Sequence, residues 1–239
     1  MYNSEKLPEG ELTPQSEFGK KLDNFWYYNK WKVIGAIFVL AILAICLFQC
    51  MTRETYDLSI VYGGAMSASD ERSQAMRAAL SDVEPDGIGD KGIGLTVLEI
   101  YGEDYAKEHQ NSFNSVVNNN NYTNLCQLIT AGEYSILILD RWIYEDIKGN
   151  VGFRAIDEVC GEGTVSEDQK YDATAVYLKK TAFYGSNAGA FSGVSDDAVI
   201  CVCIYSPFKA AVGCGGVAET DPDYQKAVDM FRAILTYRS

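Results

Sequence analysis

The run from Val33 to Thr52, VIGAIFVLAILAICLFQCMT, carries no charge over 20 consecutive residues. At about 1.5 Å of helical rise per residue, such a run spans roughly 30 Å, the hydrocarbon thickness of a bilayer. A single membrane crossing is expected, with the lipid bilayer as a partner through residues 33–52. Lys20, Lys21, Lys30 and Lys32 precede the run and only Arg53 follows it closely. Positive flanks stay in the cytoplasm, so the N-terminus is expected inside and the C-terminal part outside the cell membrane. Phe25, Trp26, Tyr27, Tyr28 and Trp31 crowd the cytoplasmic edge, where aromatic rings bridge lipid and headgroups. A removed signal peptide is the competing reading. A long polar segment precedes the run, and neither Cys46 nor Cys50 follows the small residue of a lipoprotein cleavage site, which favours an uncleaved anchor.

Three segments result. Residues 1–24 are polar, contain Pro8, Gly10, Pro14 and Gly19, and read as a disordered cytoplasmic tail. Residues 25–52 form the aromatic juxtamembrane segment and the span. Residues 53–239 are enough for one domain with a proper core. The net charge of −13 belongs entirely to this last segment, because five acids and five bases cancel before it. An acidic surface of that size repels phosphate backbones and excludes nucleic acid as a partner class. Its simplest role is to keep the domain soluble.

Within 53–239, strand and helix patterns alternate. Tyr56 to Tyr62 is a β-branched run closed by Gly63-Gly64. Asp70 to Val83 then repeats apolar residues at Met76, Ala79, Leu80 and Val83 with helical spacing. Leu95 to Ile100 reads as a second strand. A helical stretch with Phe113, Val116 and Val117 follows, broken by the asparagine run 118–121. A shorter helix carrying Leu125, Leu128 and Ile129 then ends at Gly132. Tyr134 to Leu139 is apolar on both faces, the mark of a central strand with parallel neighbours. Thr174 to Leu178 and Ala198 to Tyr205 read as further strands. Asp221 and Pro222 open a terminal helix with Tyr224, Ala227, Val228, Phe231 and Leu235 on one face. This predicts an α/β domain with a mostly parallel sheet and helices on both faces.

Catalytic signatures are weak. A hydrolytic triad needs a histidine, and His109 sits in a polar helical stretch, with no G-x-S-x-G elbow in the chain. Gly213-Cys214-Gly215-Gly216 is a turn whose cysteine has no base near it in sequence. Asp196-Asp197 reads as a turn, and Asp221 with Asp223 as a helix cap rather than acid–base or calcium chemistry. Cys126, Cys160, Cys201, Cys203 and Cys214 cannot all pair. Free buried thiols, one or two disulfides, and a thiolate metal site built on Cys201, Cys203 and Cys214 are the alternatives, the last with the wrong spacing for a C-x₂-C hairpin. Asn121-Tyr122-Thr123 matches a glycosylation acceptor. No enzyme, cofactor or metal is expected.

The segment Leu125 to Val159 resembles part of the type 2 periplasmic, or extracellular solute, binding proteins. The residues that carry the likeness are Ala131-Gly132-Glu133, the strand Ser135 to Leu139, Asp140, Trp142 and the Gly152-Phe153 step. Ala198 to Tyr205 and Pro222 to Leu235 are similar to the last strand and helix of that family. FWYYNKWK resembles the juxtamembrane segments of single-pass envelope proteins of Gram-positive bacteria. The resemblance implies one lobe, or a reduced two-lobe form, and a membrane-anchored module that binds a small molecule or presents it to a membrane protein partner. The other classes kept open are a ligand-free structural or interaction module of the envelope and, third, an extracytoplasmic hydrolase.

Open α/β sheets bind ligands beyond the carboxyl ends of their strands. That rule selects three loops as the candidate site. The first holds Gly63, Gly64, Ser67 and Ser69, whose small residues and helix start expose backbone N–H groups to an anion or a hydroxyl. The second is Asp140, Arg141 and Trp142, a charge, a forked donor and a stacking surface. The third is Phe183, Tyr184 and Asn187.

Overall fold

The computed structural model describes residues 17–52, 56–67, 69–83, 85, 92–109, 113–206 and 221–238. The chain divides into two compact units, Met1–Glu54 and Thr55–Ser239.

The first unit is helix α1, Glu17–Thr52. Its stretch Phe25–Phe48 has a mean hydropathy of 2.6 over its most apolar window and buries none of it, so it is long and apolar enough to cross a membrane; a signal sequence meets the same test. The helix takes in residues 17–24, the end of the polar tail. No proline interrupts them, and extending an existing helix adds one hydrogen bond per residue without a new nucleus. Residues 1–16 lie outside the described residues.

The second unit is built on a five-stranded mixed sheet in the order β2-β1-β3-β5-β4. Strand β1 is Leu58–Gly64, β2 Ile93–Glu99, β3 Ile136–Leu139, β4 Ala175–Tyr177 and β5 Val199–Val202. β1 pairs in parallel with β2 and with β3. β3 is therefore central, as its two apolar faces require. One expectation fails here, since β5 runs antiparallel to both β3 and β4. Between β4 and β5 residues 178–198 form a 3₁₀ turn, Leu178–Lys180, helix Ala182–Asn187 and tight turns. That length would allow a parallel crossover, but the chain doubles back, with the Leu178 N–H donating to the Ala198 carbonyl at 2.9 Å.

Helices cover both faces, and the period-two alternation of the strands divides the core between them. Leu58, Ile60, Tyr62, Ile136, Ile138 and Ile200 pack on one side with Met76 and Leu80 of α2, Asp70–Ser81, and with the terminal helix Pro222–Leu235. Val61, Leu137, Leu139 and Cys201 pack on the other with Leu125 and Ile129 of Ser115–Ala131 and with Ile143 and Tyr144 of Arg141–Ile147. In chain order the helices after α2 are α3, Glu103–Glu108, α4, Ser115–Ala131, α5, Arg141–Ile147, α6, Ile156–Cys160, α7, Ala182–Asn187, and α8, Pro222–Leu235.

The asparagine run does not break its helix. α4 is continuous from Ser115 to Ala131, capped by Asn114, whose Oδ1 accepts from the Val117 N–H at 3.1 Å. It ends, as read from sequence, at Gly132 in the left-handed region with φ +72°. α8 also starts as expected, with the Asp221 carboxylate accepting from the N–H groups of Asp223 and Tyr224.

Candidate functional site

The parallel strands β1, β2 and β3 end on one edge of the sheet, and the segments leaving them wall a groove of about 1080 Å³. Ala65 follows β1, Tyr101 and Gly102 follow β2, and Asp140, Arg141 and Trp142 follow β3. α4 contributes Asn118 and Tyr122. Because β5 runs the other way, its approach supplies Ser195 and Asp197 to the same rim.

Asp140 anchors the floor. It is 3% exposed, and its carboxylate accepts from the Tyr62 hydroxyl at 3.1 Å and from the Ala65 N–H at 2.9 Å. Burial pushes its carboxyl above the ordinary range, the two hydrogen bonds to its charged form pull it down, and Asp197 nearby adds to the rise. Burial also raises the Tyr62 phenol, and the neighbouring carboxylate raises it further. Gly64 lets this contact form, since a Cβ there would collide with the Asp140 carboxylate and the Tyr62 hydroxyl.

Beside it, Arg141 Nε meets Asp197 at 3.2 Å, and Ser195 Oγ donates to the same carboxylate at 2.6 Å. Trp142 is 40% exposed, and its indole lies parallel to the Tyr122 ring at 6.3 Å between centroids and 16° between planes. The Tyr122 hydroxyl donates to Asp146, one helical turn after Trp142. A Cβ on Gly102 would stand 3.6 Å from the indole, so the chain leaving β2 runs close beneath the ring.

Two lining residues, Tyr101 and Tyr105, belong to a stack of rings that continues to His109 outside the lining. Tyr101 lies on Tyr105 at 4.0 Å and 15°, and Tyr105 on His109 at 4.0 Å and 13°. Asparagines of α4 hold this stack in place. Asn118 accepts from the Tyr101 N–H at 2.7 Å and donates to the Tyr101 carbonyl at 3.1 Å, and Asn121 donates to the Glu99 carbonyl at 2.9 Å. The run read as a helix break is thus a set of clamps, substituting for strand pairing just where β2 stops.

Of the residues expected at the site, Asp140, Arg141 and Trp142 line the groove, joined by Ala65 within the first loop. Gly63 and Gly64 sit inside β1, Gly63 beneath Leu125 and Leu139. Ser67 gives its carbonyl to Arg72 Nη1 at 2.9 Å, and the Ser69 hydroxyl caps α2 at 3.4 Å. Tyr184 stands apart on α7, packed beside Phe191 with the Lys179 ammonium 5.7 Å from its ring. Tyr101, Tyr105 and Tyr122 were not selected from sequence. The strand-end rule reaches Tyr101 as readily as Asp140, because β2 is a parallel neighbour of β1. Tyr122 carried no comparable signal, since a tyrosine four residues before a helical cysteine has no strand to refer to.

Among the described residues no group of three or more histidine, cysteine or acidic side chains is placed to hold a metal ion. Cys126, Cys160, Cys201 and Cys203 are free thiols. Burial pushes the Cys203 thiol up to about 12 and that of Cys201 well above its usual value, so both stay protonated at neutral pH. Cys214 lies outside the described residues. The chain matches no family model, no curated protein and no solved structure.

Proposed function

We propose that this chain is a membrane-anchored, extracytoplasmic solute-binding-like module of the type 2 periplasmic binding protein kind, and that it binds its solute in the strand-end groove without turning it over. The observation that carries this reading is the convergence of the three strand exits Ala65, Tyr101 and Asp140 on one groove. Open sheets hold small molecules at that edge because backbone and side chains from separate strands meet there around a concave surface. The order of β3, Asp140, the Trp142 helix and the Phe153 step, which bridges back to Cys203, also supports the family reading. Binding without catalysis is favoured by the lining. Among the described lining residues the one serine, Ser195, donates its hydroxyl to Asp197, and no histidine or cysteine stands there. The extracytoplasmic placement follows from the lysines before the span.

The test is a thermal-shift screen of the full-length chain in uncharged detergent micelles against sugars, amino acids, amines and anions. A ligand that binds only the folded state at a hundred times its Kd stabilises by about 2.7 kcal/mol, a clear rise in Tm. No shift in any class rejects the solute-binding reading in favour of a ligand-free envelope module.

A further inference from the structure

The groove pairs aromatic faces with uncompensated negative charge. Among the described residues six carboxylates line it, those of Glu103, Asp104, Asp140, Glu145, Asp146 and Asp197, against one cation, Arg141. Arg141 is committed to Asp197. Just outside the lining, Lys148 is committed to Glu145 at 2.6 Å, and Lys107 is shared by Glu103 at 3.5 Å and Asp104 at 3.3 Å. Asp140 and Asp146 meet no cationic side chain among the described residues, and both take hydrogen bonds from tyrosine hydroxyls. Asp146 is the more accessible of the two. It shares one wall with Tyr122, to which it is hydrogen-bonded, and with Trp142, whose ring lies parallel to that of Tyr122.

An anion in this groove meets net repulsion from the carboxylates. A neutral sugar gains the ring contacts and leaves the excess charge unanswered. An alkylammonium group satisfies both, because the negative face of an aromatic ring and a carboxylate each attract a cation.

We propose that the groove takes a small organic cation, an amine or quaternary ammonium compound, seated against the Trp142 and Tyr122 rings with its charge answered by Asp146. This rests on the solute-binding reading and names the ligand class of the same site. It also departs from the anion capture that the small residues of the 63–69 loop suggest by themselves, since Ser67 and Ser69 are already used within the chain.

The test is calorimetric titration of the full-length chain in uncharged detergent micelles. The probes are choline, 1,4-diaminobutane, the neutral choline isostere 3,3-dimethylbutan-1-ol, glucose and acetate. Saturable binding of choline or 1,4-diaminobutane is expected, weakening as sodium chloride is raised. The isostere should bind at least about tenfold more weakly than choline, and Asp146→Asn and Trp142→Leu should each weaken cation binding by about tenfold. Glu167→Gln removes an equal charge from an exposed residue paired with Lys170, away from the groove, and should leave affinity unchanged. Binding of glucose or acetate without either cation overturns the cation assignment and leaves the solute-binding reading standing. Failure of all five probes overturns the cation assignment, and the solute-binding reading then stands or falls with the thermal-shift screen. Cation binding untouched by Asp146→Asn and Trp142→Leu, or isostere binding equal to that of choline, overturns the seat proposed here. The isostere comparison uses the parent chain, so it decides even where a variant fails to fold.

Discussion

The Tyr62 hydroxyl donates to the Asp140 carboxylate at 3.1 Å across 78 residues of sequence, tying the end of β1 to the end of β3 beneath the groove. A buried carboxylate so placed is costly in its charged form even with two donors. Its pKa is raised in the folded state, so its contribution to stability is fully present below the ordinary value of 3.8 and is lost as pH rises through the folded value. Asp140→Asn removes that titration. The Tm of the parent relative to Asp140→Asn should therefore fall as pH is raised from below 3.8 towards neutrality. A difference that grows with pH would show the two hydrogen bonds outweigh burial.

Asn118 provides a test of opposite signs. Asparagine is a poor helix former, so intrinsic propensity makes Asn118→Ala stabilising by about 0.5 kcal/mol. The two hydrogen bonds to the Tyr101 backbone argue the reverse, because losing them leaves a part-buried N–H and carbonyl unpaired. At about 1 kcal/mol each, their loss should dominate and destabilise the chain by about 1–2 kcal/mol. Chemical denaturation monitored by circular dichroism reads the sign directly.

Ile136 is fully buried and pairs with Ile60 on one side and Val202 on the other. Ile136→Asp places an unpaired charge in the centre of the sheet, at a cost of several kcal/mol that is comparable to a domain's whole stability. No cooperative melt is expected from this variant. A melt near that of the parent would contradict the central position of β3.

The orientation of the span can be read by protease protection in intact cells. The lysines before residue 33 should keep the N-terminus inside, leaving Thr55–Ser239 open to added protease. A protected C-terminal unit would reverse the topology. Loss of the first 50 residues from the mature chain would mark the apolar helix as a signal sequence.

What was legible in sequence followed from local chemistry. Gly132 at φ +72°, an Asp-Pro helix start and an apolar run on both faces of β3 each have one economical structure, and each took it. Strand direction has no such signature. The side chains of Val199–Val202 would be buried in either direction, so burial does not choose between them. The groove was half visible for the same reason. Asp140, Arg141 and Trp142 follow an unmistakable strand, whereas Tyr122 and Asn118 reach the site from a helix that enters it by tertiary packing alone. The asparagine run misled because low helix propensity is a local penalty, and here long-range hydrogen bonds offset it.

The ties that shape the groove are nearly all distant in sequence. Ala65 reaches Asp140 over 75 residues, Asn118 reaches Tyr101 over 17, and β3 finds β5 only after the 141–198 stretch has been laid down. Loop-closure entropy must be overcome before any of these contacts gives a return, so such pairings belong to the late, cooperative part of folding. A groove of this construction has no fragment that retains it. Proteolytic nicking between β3 and β5 would abolish solute capture and the sheet together, and occupancy of the groove would protect the 141–198 stretch from cleavage.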